Sequence, residues 1–193
     1  MSYVVETKDI KNFRIKISYD DNTDSPRDWD NLSTMVYFDH DKLGDNHPYK
    51  FNDYSSWEEM RDAIIENEDV HTICPLYVYK HGPGCTKISM SDFNDQFDSR
   101  QLGWIYASKK DLMGYSDDAK ADVEAIFQSE IDVFNEYLNG EVYSYNIYEI
   151  SVCDQGHEHK DHKDSCGGWY DQDEAMKEAE SMVEYYLKDK TSL

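Results

Sequence analysis

Cysteine and histidine, two residue types that bind zinc, are concentrated in the segment CDQGHEHKDHKDSC, residues 153–166. A tetrahedral zinc site needs four sulfur or nitrogen ligands, and this segment contains enough of them. Neither cysteine has a second cysteine three residues away, so the spacing differs from that of a zinc ribbon or finger. A polar loop between two strands explains the same residues, and a zinc-binding regulatory module is the alternative hypothesis. Its candidate ligands are Cys153, His157, His159 and Cys166.

Motifs that bind nucleotides or form hydrolase active sites are absent from the sequence. The chain contains no GxGxxG, GxxxxGKS/T, HExxH or GxSxG pattern. Cys85 lies near His81 in HGPGC, but a hairpin turn followed by a strand cysteine explains this pair better than a thiol nucleophile. Arg100 near Asp98 is typical of a surface ion pair. The sequence therefore predicts a protein that is not an enzyme and that uses no cofactor.

Five aspartates surround a single arginine in YDDNTDSPRDWDNL, residues 19–32. We expect Arg27 to anchor this segment through one or two of the neighbouring carboxylates. The other carboxylates would stay free to bind a cationic partner, and simple solvation of a loop is the alternative. The five aspartates are Asp20, Asp21, Asp24, Asp28 and Asp30.

A second group of acids belongs to a predicted helix of about 23 residues that ends before Gly140. Its acids lie opposite the apolar stripe, with Glu130 beside them. Like charges at i,i+4 destabilise a helix by a few tenths of a kcal/mol each, so helix stability does not explain them. Together with acids of the last predicted helix they resemble a ladder of DNA phosphates, and a solvated helix face is the alternative. The four acids of the candidate surface are Asp118, Asp122, Asp132 and Glu136.

The charge of the whole chain decides which partners are excluded. The 193 residues include 41 acidic and 19 basic side chains, which gives a formal net charge of -22. Such a charge repels nucleic acid and anionic membranes, and it attracts a basic protein surface or a metal ion. We therefore expect a protein partner with a basic surface and no direct contact with nucleic acid or membrane. The oligomeric state is open between a monomer and a homodimer.

The order of the predicted elements is typical of an α+β fold. NFRIKISY alternates apolar and polar residues, as a half-buried strand does, and Ser55 or Ser56 with a glutamate three residues later predicts a helix start. Between Cys153 and Cys166 we expect a polar loop, followed by a short strand at CGGWY. The other strands are predicted at residues 12–19, 33–40, 73–80, 85–89, 102–108 and 141–153, and the helices at residues 56–68, 116–138 and 171–188.

These elements predict a single domain over residues 1–193, an antiparallel β-sheet with about three helices packed on it. Apolar residues make up 39% of the chain, which is enough for a core. Four cysteines are too few for a disulfide scaffold, and no apolar segment approaches the ~20 residues that a membrane span requires. The sequence therefore predicts a soluble, cytoplasmic protein.

Four stretches together resemble a family of small acidic proteins carried by bacteriophages and mobile elements. They are SPRDWDNLSTM (25–35), DSRQLGWIYAS (98–108), YLNGEVYSYNIYE (137–149) and DSCGGWYD (164–171). The resemblance spans most of the chain in order, but the family brings no catalytic residues with it. Trp29, Trp104 and Trp169 lie within these stretches and are candidate contact anchors, with burial in the core as the alternative.

The resemblance implies a role in the contest between phage and host. In size and acidity the chain is similar to inhibitors of BREX or restriction systems. The resemblance implies an inhibitor in the host cytoplasm that binds a defence protein with a basic, DNA-binding surface. Two mechanisms are open: the inhibitor occupies a DNA-binding groove as a DNA mimic, or it blocks an assembly step by direct protein contact.

Overall fold

The computed structural model of the protein describes residues 3–82 and 84–189. None of the helices in these residues is long and apolar enough to cross a membrane. The strands are β1 (Val4–Ile10), β2 (Phe13–Tyr19), β3 (Thr34–Tyr37), β4 (Val70–Lys80), β5 (Thr86–Ser89), β6 (Ser99–Ser108), β7 (Tyr143–Val152) and β8 (Glu158–Trp169). The helices are α1 (Trp57–Glu68), α2 (Asp117–Ala121), α3 (Val123–Leu138) and α4 (Gln172–Asp189).

Two four-stranded antiparallel sheets organise these elements, so the predicted α+β class is confirmed, with two sheets where the sequence indicated one. The strand orders are β1-β2-β7-β8 and β3-β6-β4-β5. The chain divides into two compact units: unit 1 is Met1–Asp24 with Gly140–Leu193, and unit 2 is Ser25–Asn139. The expectation of one domain over residues 1–193 stays a prediction.

The core of unit 1 lies between its sheet and α4. The predicted alternation of β2 is confirmed, because Phe13, Ile15 and Ile17 are fully buried while the residues between them are partly exposed. Strand β7 adds Tyr145 and Ile147 to the same core. The apolar stripe of α4 covers these side chains with Ala175, Met176, Ala179 and Val183.

The sheet of unit 2 is covered on both faces, because β6 sends alternate side chains into two apolar clusters. Ile105 and Ala107 belong to the cluster that contains Phe127 and other residues of α3. Trp104 and Tyr106 belong to the cluster that contains residues of α1. A strand buried on both faces reads as a nearly continuous apolar run, which is how LGWIYAS looks in the sequence.

The prediction of one long acidic helix is wrong in one respect, because the helix is broken at Asp122. The α2 segment ends at Ala121, and α3 begins at Val123. Asp122 has φ -130° and ψ 47°, which is outside the helical region. Aspartate favours positions that precede a helix over positions inside one, and three aspartates within six residues repel one another. Gly140 does have the positive φ expected of a glycine that follows a helix end.

The predicted polar loop between Cys153 and Cys166 is also wrong, because most of it belongs to β8. This strand pairs with β7 from Val152 opposite Glu158 to Tyr143 opposite Trp169. Most of its side chains are exposed, so it lacks the alternation that identifies a half-buried strand. Strand β1 at the other edge of the sheet is mostly exposed as well, and the sequence analysis missed it.

Side chains close the β3 edge of the unit 2 sheet. The Asp45 carboxylate accepts a hydrogen bond from the Met35 amide at 2.7 Å, and the Asp45 amide donates to the Met35 carbonyl at 3.0 Å. His47 Nε2 lies 2.9 Å from the Tyr37 carbonyl oxygen. These contacts occupy backbone groups that an edge strand otherwise leaves open to another chain.

Asn135 of α3 and Asn139, the residue that follows α3, close the β5 edge of the same sheet. The Asn135 carboxamide accepts from the Ile88 amide at 2.7 Å and donates to the Ile88 carbonyl at 2.9 Å. Asn139, one helical turn later, makes the same pair of bonds with Thr86 at 3.1 and 2.9 Å. A carboxamide has the donor and acceptor of a peptide group, so the two side chains act as a short additional strand.

Candidate partner-binding surfaces

Arg27 anchors its segment in unit 2, but its partners differ from the predicted ones. Its side chain is only 2% exposed. The guanidinium donates to both carboxylate oxygens of Asp45 at 3.1 and 2.6 Å, to Glu130 at 3.1 Å and to the Ser33 carbonyl at 2.7 Å. Burial lowers the pKa of Arg27, but the two carboxylates outweigh it and the net pKa is raised. The expectation that Arg27 pairs with neighbouring aspartates of its own loop is therefore wrong.

Glu130 is a structural residue and not part of an exposed acidic face. Its carboxylate accepts hydrogen bonds from the Leu32 amide at 2.8 Å and from the Ser33 amide and hydroxyl, besides its ion pair with Arg27. A carboxylate with this many donors stabilises the turn that precedes β3. The prediction that Glu130 lies beside the exposed acids of the candidate surface is therefore wrong.

The five aspartates of residues 19–32 fall in two units. Asp20 is partly buried and accepts from the Gly168 amide at 3.0 Å, so it stabilises unit 1. The Asp28 carboxylate lies 3.6 Å from Lys42 Nζ, and both side chains are exposed. Asp21, Asp24 and Asp30 are exposed, and no described lysine or arginine lies within ion-pair distance of them. Three of the five therefore match the expectation of carboxylates that stay available.

The acids of the second group lie on α2, on α3 and at the break between them. Asp118 and Asp122 are exposed and precede α3. Asp132 is exposed and accepts from the side-chain Nε2 of Gln128 at 2.8 Å, and Glu136 is half-buried. The 16 residues of α3 span roughly 24 Å, so a continuous charge ladder the length of one DNA turn is not formed by this helix.

The four candidate zinc ligands are not brought together. Cys153 and His157 lie at the β7–β8 turn, where the Cys153 amide donates to the His157 carbonyl at 3.0 Å. His159 pairs with Ser151, whereas Cys166 pairs with Tyr145. His159 and Cys166 are seven positions apart, which corresponds to roughly 23 Å along β8 and is too far for one tetrahedral site. Residues 3–82 and 84–189 contain no group of three or more His, Cys, Asp or Glu placed to hold a metal ion.

The two hairpin cysteines differ in environment. Backbone amides of Gln155 and His157 donate toward the Cys153 sulfur and lower the pKa of this thiol. Cys166 is exposed at the far end of the strand. The turn therefore lowers the pKa of the Cys153 thiol, but the other cysteine of this hairpin lies at the far end of the strand.

Of the candidate aromatic anchors, Trp104 is buried in unit 2 and Trp169 packs against the core of unit 1. These two confirm the alternative of burial in the core. Trp29 is 53% exposed and lies between Asp28 and Asp30. It is the one member of the predicted set that is placed at the surface.

Three other aromatic side chains form a connected group on unit 2, and the sequence analysis did not identify it. Phe38 follows β3, Phe51 lies in the 3-10 turn Phe51–Asp53, and Trp57 is the first residue of α1. The ring centroids are 5.7 Å apart for Phe38 and Phe51, 5.9 Å for Phe38 and Trp57, and 5.2 Å for Phe51 and Trp57. We call these three residues the aromatic patch. No local sequence pattern joins positions 38, 51 and 57, because only the fold brings them together.

A recess opens beside the aromatic patch. It has a volume of about 390 Å³ and is lined by Phe38, Asp39, His40 and Arg100. The buried Asp39 carboxylate accepts from Lys80 Nζ at 2.9 Å and also pairs with Arg100. Burial raises the pKa of Asp39, but Lys80, a hydrogen bond from the Asp41 amide and Arg100 together outweigh it, and the net pKa is lowered. Asp39, in the wall of the recess, is thus held in place by ion pairs with Lys80 and Arg100.

No family model, curated protein or solved structure matches the chain.

Proposed function

We propose that the protein is a non-enzymatic anti-defence inhibitor of the phage type, which acts in the host cytoplasm. It binds a host defence protein, a BREX or restriction component, through acidic surface. Its partner has a basic surface of the kind that binds DNA. The resemblance of the four sequence stretches supports the biological setting, and the charge of the chain supports the mode of binding.

The excess of carboxylates carries this proposal. Even if each of the 19 basic side chains neutralised one acid, 22 of the 41 acids would keep their charge. Several cations are already used in close pairs within the units, such as Arg27 with Asp45 and Lys80 with Asp39. Exposed carboxylates without such partners attract a cationic surface over a distance and raise the rate of association.

A plating assay tests the proposal. The protein is expressed in two isogenic hosts, one with an intact BREX or restriction system and one without it, and both are challenged with a phage that the system restricts. We expect plating to rise in the defended host and to stay unchanged in the undefended one. Equal plating with and without the protein in every defended host would refute the function.

Salt dependence separates the two mechanisms of inhibition. If the protein mimics DNA, its affinity for the purified defence component falls steeply with salt concentration, and DNA competes with the protein for binding. If it blocks a protein contact, apolar side chains supply most of the affinity, and salt affects mainly the association rate.

A further inference from the structure

We propose that the aromatic patch Phe38–Phe51–Trp57 is the anchor of the partner interface, which makes inhibition a direct protein contact and not DNA mimicry. This inference rests on the proposed function and specifies its site. The occupant is a protein surface in which an apolar side chain is surrounded by lysine or arginine.

The three rings of the patch are in mutual contact at the surface. Phe51 is 52% exposed, and Phe38 and Trp57 are half-buried. Single exposed apolar residues are ordinary in soluble proteins, but connected apolar groups mark interaction sites. Aromatic residues also supply much of the binding energy in protein interfaces, especially near the centre of the contact.

The patch is held rigid from beneath. Phe38 and Trp57 pack against the apolar cluster that contains Val36, Met60 and Trp104. The turn that carries Phe51 is closed by a hydrogen bond from the Asp53 amide to the Lys50 carbonyl at 3.1 Å. Binding to preorganised side chains loses less conformational entropy than binding to mobile ones, so a small patch suffices for a specific contact.

The start of α1 fixes Trp57. Ser56 caps the helix by accepting from the Glu59 amide at 3.1 Å, and the Glu59 carboxylate accepts from the Ser55 amide at 2.7 Å. This arrangement resolves the predicted capping box to Ser56 and Glu59. The cap holds the first turn of α1, and with it Trp57, against Phe51.

Exposed acids near the patch indicate the charge of the occupant. Asp53 ends the turn of Phe51, Glu58 follows Trp57, and Asp62 lies one helical turn further along α1. All three are exposed. Arg61 already lies 3.5 Å from the Asp62 carboxylate. Lysine or arginine around a bound apolar side chain would pair with Asp53 and Glu58, and a guanidinium also stacks on aromatic rings.

The same charges argue against a second copy of the chain as the occupant. A twofold interface brings one surface against itself, so the acids beside the patch would face identical acids. Like charges across an interface are costly, and each copy carries a net charge of -22. The recess beside Phe38 has room for a protruding side chain of the partner.

Two matched substitutions in the full chain test the inference. Phe51→Ala removes an exposed ring from the patch, and Phe97→Ala removes a ring that is 92% exposed elsewhere in unit 2. Two quantities are measured: phage plating in the defended host, and the affinity for the purified component of that host's BREX or restriction system to which the wild type binds. We expect Phe51→Ala to weaken binding at least ~10-fold and to abolish the plating gain, since truncation of an aromatic residue at the centre of an interface typically lowers the affinity by this factor. Phe97→Ala should change both by less than ~2-fold.

Stability and self-association are measured in parallel. Thermal unfolding of the two variants should match the wild type within about 2 °C, since both rings are exposed. If Phe51→Ala unfolds early, Phe51→Leu, which keeps apolar bulk without an aromatic face, replaces it and should still weaken binding. A patch that binds a second copy would show as a wild-type dimer in sedimentation that Phe51→Ala dissociates, and this overturns the inference.

Failure of this inference is distinguishable from failure of the proposed function. If the wild type raises plating but Phe51→Ala and Phe97→Ala raise it equally, the patch is not the anchor and the proposed function stands. If the wild type raises plating in no defended host, the proposed function fails and this inference fails with it.

Discussion

Replacement of Arg27 by methionine should destabilise unit 2 far more than loss of a surface arginine. The Arg27 side chain is 2% exposed and joins Asp45 to Glu130. Removing one partner of a buried ion pair costs about 3–5 kcal/mol, because the remaining charges stay buried without compensation. Arg61→Met is the matched control, since Arg61 is 44% exposed and pairs with Asp62 at 3.5 Å. An exposed pair of this kind contributes about 0–1 kcal/mol.

Urea unfolding followed by tryptophan fluorescence measures the difference, because Trp29, Trp57 and Trp104 all belong to unit 2. With a slope of about 2 kcal/mol per molar urea, a loss of 3–5 kcal/mol moves the midpoint down by roughly 1.5–2.5 M. Adding Asp45→Asn and Glu130→Gln to Arg27→Met should recover part of the loss, since the uncompensated charges disappear. Equal midpoints for Arg27→Met and Arg61→Met would refute the assignment of Arg27 as a buried anchor.

Three further predictions concern single side chains. Gly103→Ala should cost several kcal/mol in the same urea assay, because an added Cβ would lie 1.9 Å from the Val36 carbonyl oxygen; a midpoint equal to the wild type would contradict this close approach. Because the pKa of Asp39 is lowered in the folded state, its carboxylate stabilises the fold at pH values above its ordinary pKa of 3.8, and this contribution is lost as the pH falls below 3.8. Asp39→Asn should therefore be less stable than the wild type at pH 7, and its free energy of unfolding should fall less than that of the wild type between pH 4 and pH 2. Iodoacetamide at pH 7.5 should label Cys153, whose pKa the hairpin amides lower, before the more exposed Cys166, and Cys74, whose pKa burial and Glu124 raise to about 11, should be labelled last; peptide mass spectrometry that finds Cys166 labelled before Cys153 would contradict the activation of Cys153.

The sequence predicted elements whose side chains alternate between core and solvent, and it missed those that lack this contrast. β2 was identified because Phe13, Ile15 and Ile17 are separated by polar residues. β8 was not, because exposed side chains on both faces of a strand leave no period-two pattern. The two-sided burial of β6 was visible only as an apolar run, which does not specify the neighbouring strands.

The candidate site was predicted less well than the fold, for a different physical reason. Charge is a property of composition, so the expectation of a cationic partner needs only the sequence. Which carboxylates are exposed depends on contacts between distant parts of the chain, such as Arg27 with Glu130, 103 residues away. The same holds for the aromatic patch, since residues 38, 51 and 57 meet only when α1 packs on the sheet of unit 2.

The closed edges of the unit 2 sheet also bear on how a partner binds. A partner that adds a strand to a sheet needs unpaired backbone groups along an edge. On β3 and β5 these groups already bond to Asp45, His47, Asn135 and Asn139. Strand addition to unit 2 would have to break several of these hydrogen bonds, each with a net worth of about 1 kcal/mol. Side-chain contacts are therefore the less costly route for a partner that binds unit 2, which is consistent with the proposed anchor at the rigid rings of the aromatic patch.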